Sequence, residues 1–75
     1  MIMNYSACYY VPEKDSFTSE YFSDKRSAAN LARKMSKQTP GHMAYVHKNT
    51  GDWINGLFYA AESTTAAVYV NGKRQ

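Results

Sequence analysis

Three side chains could take part in chemistry near neutral pH: Cys8, His42 and His47. A catalytic cysteine is usually activated by a neighbouring base or by a helix N-terminus. Cys8 instead sits in a Tyr- and Ala-rich segment that alternates like a β-strand, and no glycine-rich turn lies beside it. We therefore interpret Cys8 as a structural thiol, half-buried or buried in the sheet.

The histidines do not have the spacing of a metal site. His42 and His47 are five residues apart, so on one strand their side chains would point to opposite faces of the sheet. The six acidic residues are scattered among turns and element ends, and no pair of carboxylates is placed for acid–base work. The sequence therefore predicts a protein that is not an enzyme, with no metal and no cofactor.

Extended segments dominate the chain on either side of one helix. Residues 5–11 alternate large and small side chains and are predicted to form a first strand, with Tyr5, Ala7, Tyr9 and Val11 on one face. A polar turn over residues 12–16 leads to a second strand over residues 17–22, which completes a hairpin.

Residues 23–38 carry the only helical pattern. Ser23 is the predicted N-cap, and Asp24 adds a negative charge at the helix start. Proline and glycine at positions 40 and 41 end the element. The apolar stripe of the helix is predicted to be Ala28, Leu31, Ala32 and Met35.

A second hairpin is predicted after the helix. Residues 42–48 and 53–61 are interpreted as its strands, and residues 49–52 as its turn, which would place Tyr45 opposite Gly56. A loop over 62–65, a strand over 66–70 and a polar tail over 71–75 complete the chain. The predicted fold is α+β, a single domain over residues 1–75 with one helix packed on an antiparallel sheet in the order β-β-α-β-β-β.

Two features point to binding rather than to catalysis. The helix segment carries five cations against one acid in a chain of net charge +3, which is typical of a phosphate-binding face but also of a solvated helix face. The chain also has seven Tyr, three Phe and one Trp, more than one short helix can cover, so some aromatic rings should remain free to bind a protein partner. The predicted partner-binding residues are Lys25, Arg26, Arg33, Lys34, Lys37, Tyr45, Trp53, Tyr59 and Tyr69.

The order of these segments resembles that of some very small phage-encoded inhibitors of CRISPR–Cas surveillance complexes (anti-CRISPR proteins). The resemblance is carried by the alanine-spaced helix at residues 23–37, the hairpin at 41–56 and the aromatic strand with its Gly-Lys-Arg end at 57–74. It implies a stoichiometric blocker that covers the effector or nucleic-acid surface of a larger complex. A net charge of +3 excludes the DNA-mimic version, in which dense carboxylates imitate phosphates.

The leading hypothesis is therefore a small interaction protein, of phage or mobile-element type, that binds and inhibits or adapts a larger protein or ribonucleoprotein complex of the host. The alternative is a nucleic-acid-binding domain that uses the basic helix together with exposed aromatics. A third hypothesis is a structural subunit that homo-oligomerises through its sheet, and the protein is expected to be a monomer or a homodimer. Since no secretory signal or membrane span is evident, the host cytoplasm is its expected location, with no membrane partner.

Overall fold

The computed structural model describes all 75 residues. The elements are β1 (Ile2–Val11), β2 (Ser16–Phe22), α1 (Lys25–Gln38), β3 (Ala44–Ile54), β4 (Leu57–Val70) and β5 (Lys73–Arg74). The five strands form one antiparallel sheet in the order β2-β1-β3-β4-β5, and α1 packs across one of its faces. The predicted α+β fold and its β-β-α-β-β-β order are confirmed.

The N-cap of the helix lies one residue later than predicted. Asp24, not Ser23, is the N-cap, and its carboxylate accepts hydrogen bonds from the Ser27 backbone N–H at 2.8 Å and from Ser27 Oγ at 2.9 Å. These bonds stabilise the charged carboxylate and hold the pKa of Asp24 below its ordinary value. At the other end, the Thr39 hydroxyl donates to the Met35 carbonyl at 2.8 Å.

The buried core between helix and sheet consists of small aliphatic side chains and one large ring, Tyr69. Ala28, Ala32 and Ser36 are the buried helix residues, spaced four apart along the chain. Ala28 and Ala32 pack toward Ala7 of β1 and Val46 of β3, and the shortness of these side chains lets the helix approach the sheet closely. The larger residues of the predicted stripe, Leu31 and Met35, are only half-buried, because they lie at the sides of that contact.

The predicted turn over residues 49–52 is wrong, because these residues lie inside β3. The chain reverses instead at Asn55-Gly56, where both residues have positive φ, 52° and 79°. A tight two-residue hairpin requires this geometry, and Asn-Gly supplies it at little steric cost. Tyr45 consequently pairs with Val68 rather than with Gly56.

Two further segments belong to the sheet rather than to loops. Residues 62–65 continue β4 and pair with β3, so the predicted loop there is absent. The predicted polar tail folds back at a second Asn-Gly pair, Asn71-Gly72, and its Lys73 and Arg74 form β5. The β4–β5 turn therefore lies beside the C-terminal half of α1.

The single helix is neither long enough nor apolar enough to cross a membrane.

Candidate functional site

The two faces of the sheet have different surroundings. Side chains alternate along each strand, so Tyr5, Ala7 and Tyr9 of β1 point to the helix side. The intervening residues of β1, such as Cys8 and Tyr10, point to the other side, which no helix covers. We call this second side the open face.

The far half of the β3–β4 hairpin bends over the open face. Tyr21 pairs with Ser6, and Ser6 pairs with His47, but Trp53 lies six residues further along β3. In a flat strand the Cα atoms of His47 and Trp53 would lie about 20 Å apart, and Trp53 would be far from Tyr21. The ring centroids of Tyr21 and Trp53 are nevertheless only 5.4 Å apart, and Phe58 lies 5.2 Å from Tyr21 and 5.3 Å from Trp53.

A β-bulge accounts for this bend. The register of β3 against β4 shifts between Thr50 and Gly51, which leaves one extra residue on β4 and increases the local twist. Gly51 is buried there, and a Cβ at this position would lie 2.0 Å from the backbone oxygen of Tyr59. Only glycine fits this approach of the two strands.

Apolar side chains cover both sides of the end of this hairpin. We call residues 53–59 the hairpin tip. Trp53 and Phe58 pair on the open-face side, whereas Ile54 and Leu57 pair on the opposite side. Four large side chains are about half or more exposed, Leu57 the most at 62%. They are Trp53, Ile54, Leu57 and Tyr59.

The tip continues onto the start of β1. Ile2 and Met3 are also about half exposed, and they line a hollow of about 310 Å³ together with Tyr21 and Trp53. The N-terminal ammonium lies 3.3 Å from the Asp52 carboxylate, and the two form the one ion pair of the molecule. The tip and the start of β1 therefore form one apolar surface.

A buried polar network lies beside this surface on the open face. The Asn49 side-chain amide donates to Asn4 Oδ1 and to Ser6 Oγ, each at 3.1 Å, and its oxygen accepts from Ser63 Oγ at 2.7 Å. Asn49 thus joins β1, β3 and β4 through side chains as well as through the backbone. No buried side-chain polar atom in the molecule lacks a partner.

The residues considered for catalysis do not come together. Cys8 is half-buried on the open face between Ser19 and Tyr45. His42 precedes β3, so the alternation assumed for the two histidines does not apply, and its ring stacks on Tyr10 with centroids 3.7 Å apart. No three His, Cys, Asp or Glu side chains are close enough to hold a metal ion.

Two tyrosines have altered acidity for structural reasons. The Tyr9 hydroxyl donates to the Glu20 carboxylate, which together with burial raises the pKa of Tyr9 to about 12. A hydrogen bond to Asp15 likewise raises the pKa of Tyr10 above its ordinary value. Both shifts keep the phenols protonated, and neither produces a nucleophile near neutral pH.

A second surface lies on the helix side, between the C-terminal half of α1 and the β4–β5 turn. It is a concavity of about 580 Å³, which we call the basic cleft, and no hydrophobic residue lines it. Four cations and three neutral residues form its walls: Arg33, Lys34, Lys37, Lys73, Asn30, Asn71 and Gly72.

The structure distributes the predicted partner-binding residues over separate places. Arg33, Lys34 and Lys37 line the basic cleft, whereas Lys25 and Arg26 lie at the other end of α1. The aromatic candidates are divided as well. Trp53 and Tyr59 lie on the hairpin tip, Tyr45 lies in mid-sheet near His47, and Tyr69 is in the core at 5% exposure. Because Tyr69 is buried, it is not available for direct contact with a partner.

Sequence reasoning missed the remaining members of both surfaces. Ile54 and Leu57 flank Asn55-Gly56. Reading this Asn-Gly pair as the hairpin turn would have identified both residues as part of the tip. Asn71-Gly72 carries the same signal for the β4–β5 turn, which brings Lys73 to the helix. No sequence signal marks Ile2 and Met3, because the bend in β3 brings the tip beside them.

No protein-family model matches the chain, and neither a curated protein nor a solved structure shows significant similarity to it.

Proposed function

We propose that this protein is a non-enzymatic interaction protein that binds a larger host protein complex and inhibits or adapts it. The observation that carries the proposal is the apolar surface formed by the hairpin tip and the start of β1. Soluble monomers rarely expose large contiguous apolar patches unless the patches bind something. This surface combines Trp, Tyr, Met and Leu side chains, of which the aromatics and Met are enriched in protein interfaces.

The form of the tip supports a partner with a groove. Because apolar side chains cover both sides of the hairpin, a flat partner surface would cover only one of them. A groove that receives the tip would bury Leu57 and Trp53 together. Full burial of one large apolar side chain contributes roughly 1.5–3 kcal/mol, so these half-exposed anchors would supply part of the binding free energy.

A pull-down tests this proposal. The tagged protein is incubated with nuclease-treated bacterial lysate, and Leu57→Asp is compared with Thr64→Asp, an exposed position on the same strand that receives the same charge. We expect one dominant protein to bind stoichiometrically to the parent and to Thr64→Asp. Leu57→Asp should weaken that complex about ten- to a hundredfold, because the carboxylate would be buried in the interface.

The outcomes separate the alternatives. Equal binding by both variants would overturn the role of the tip. Recovery of partners only when nuclease is omitted would favour the nucleic-acid alternative. A mass by analytical ultracentrifugation that doubles with concentration for the parent, but not for Leu57→Asp, would show that the tip binds a second copy of the chain instead.

Inhibition of a CRISPR–Cas surveillance complex, by a phage or mobile-element protein acting in the host cytoplasm, is the specific form that the architectural resemblance implies. Expression of the protein in a bacterium that carries an active system should restore transformation by a targeted plasmid. Leu57→Asp should lose this effect, whereas Thr64→Asp should keep it. Full interference in the presence of the parent protein would reject this form for the system tested and leave other host complexes as candidates.

A further inference from the structure

The basic cleft concentrates positive charge that nothing in the molecule neutralises. Arg33, Lys34 and Lys37 lie within little more than one helical turn, and Lys73 reaches them from β5. The only ion pair of the protein joins the N-terminus to Asp52, so none of these four cations has a carboxylate within 4.0 Å. The arrangement is a site for an anion with several charges.

Buried contacts between α1 and the β4–β5 turn hold the walls of the cleft in place. Ser36 is fully buried, and its Oγ donates to the Arg33 carbonyl and accepts from the Gly72 backbone N–H, both at 2.9 Å. This links the β4–β5 turn to α1. The Gly72 backbone packs against Lys37, since a Cβ there would lie 3.3 Å from Lys37 Cβ. The Arg33 guanidinium lies 5.7 Å from the centre of the buried Tyr69 ring.

The chemistry of the cleft favours phosphate groups on a chain. Its donors are ammonium groups, a guanidinium and the side-chain amides of Asn30 and Asn71, and no apolar residue is present to hold a nonpolar ligand. Phosphodiester groups of a nucleic acid offer repeated charges to such donors without requiring apolar contact.

The cleft has no exposed aromatic ring on which a base could stack. The exposed aromatic rings of the tip lie at the end of β3 (Trp53) and the start of β4 (Tyr59), whereas the cleft adjoins the far end of β4. Tyr69, the one aromatic ring beneath the cleft, is buried. Base stacking therefore does not contribute there, unlike in sheets where aromatics and cations share one face.

We propose that the basic cleft binds the phosphodiester backbone of nucleic acid, independently of base sequence. This site is separate from the tip and does not depend on the function proposed for the tip. It also differs from the arrangement expected from the sequence, in which helix cations and exposed aromatics would act on one nucleic acid together.

Fluorescence anisotropy with labelled single-stranded and duplex oligonucleotides of two unrelated sequences tests the proposal. If all four cations neutralise phosphates, the logarithm of the single-strand affinity should fall by about 2.8 per tenfold rise in salt. A fourfold rise in salt would then weaken binding about fiftyfold. The two sequences should bind alike.

The variant Lys34→Gln/Lys37→Gln/Lys73→Gln retains Arg33 over Tyr69 and removes three charges from the cleft. Its matched control, Lys14→Gln/Lys25→Gln/Arg26→Gln, removes three charges elsewhere. The cleft variant should lose about 2 units of the salt slope, so that the same fourfold rise weakens its binding only about threefold. The control should keep the parent slope, and circular dichroism should show the same fold for all three proteins.

Four results would overturn the proposal. The first is no binding by the parent at low salt. The second is an equal loss in the cleft variant and its control, which would indicate diffuse attraction to net charge. The third is displacement of the oligonucleotide by polyglutamate at lower concentrations than by unlabelled oligonucleotide, which would indicate an acidic protein surface as the occupant. Inorganic polyphosphate that outcompetes the oligonucleotide would overturn the nucleic-acid assignment and identify a free polyphosphate as the ligand.

Discussion

Asn49 shows how a single side chain can act in a way that the sequence does not reveal. Asn is common in turns, and the segment around Asn49 was therefore predicted to be one. In the structure the residue is buried in β3, and its partners Asn4, Ser6 and Ser63 come from two other strands. Such a network depends on residues distant in sequence, so no local pattern could predict it.

We expect Asn49→Ala to destabilise the protein by about 1–3 kcal/mol, because it leaves the buried side chains of Asn4 and Ser6 in β1 without their partner. Chemical unfolding followed by circular dichroism measures the loss. Thr50→Ala is the control, since Thr50 is the next residue of β3, is half-buried and makes no side-chain bond to that network. Equal losses in the two variants would mean that the network adds nothing beyond ordinary strand packing.

At the scale of elements, strand periodicity predicted the first hairpin, and small-residue spacing predicted the helix. The second hairpin was misplaced because two turn signals compete within eight residues, 49–56. Asn55-Gly56 forms the turn since both residues accept positive φ, a conformation that the β-branched Thr50 of the competing segment resists. Gly51 looked like a turn glycine, but it is required for close approach of strands at a bulge.

The bulge makes a prediction about Gly51. Gly51→Ala should destabilise the fold by about 1–3 kcal/mol, since its Cβ would meet the Tyr59 backbone and force β3 and β4 apart. The fluorescence of Trp53 should change as well, because the bend that brings its ring to Tyr21 depends on the bulge. Thermal unfolding and fluorescence spectra check both effects.

Gly56→Asn provides the comparison. Gly56, unlike Gly51, has positive φ, but nothing lies within 4 Å of a Cβ there, and asparagine tolerates this region of backbone conformation. Its cost should therefore be smaller than that of Gly51→Ala. If Gly51→Ala were the milder change, close approach at the bulge would not be what fixes the bend.

For the whole molecule, composition correctly indicated surfaces of two kinds, aromatic and basic, but not where they lie. The sequence-based hypotheses treated the basic and aromatic residues as one binding site. Strand alternation, two bulges and two Asn-Gly turns decide which side chains share a surface, and each of these changes the face or the neighbours of every residue that follows. The tip and the cleft accordingly adjoin opposite ends of β4.

We expect the two surfaces to act independently. Leu57→Asp should leave oligonucleotide binding within about twofold of the parent, and the cleft variant should leave the protein partner bound. The free energies of the two changes should add in the combined variant, because the sites share no residue. Anisotropy and quantitative pull-down on the same preparations measure this. Loss of both activities from either variant would indicate one composite site.

The strand order also determines how the chain can reach this structure. The β1–β2 and β3–β4 hairpins join segments that are neighbours in sequence. In contrast, β1 and β3 pair residues as distant as Ile2 and Gly51, and the chain between these two strands, which contains β2 and α1, forms a long loop. The entropy of closing that long loop must be met before its contacts form. We therefore expect the pairing of β1 with β3 to form last, together with the packing of α1 across it, and to limit the folding rate.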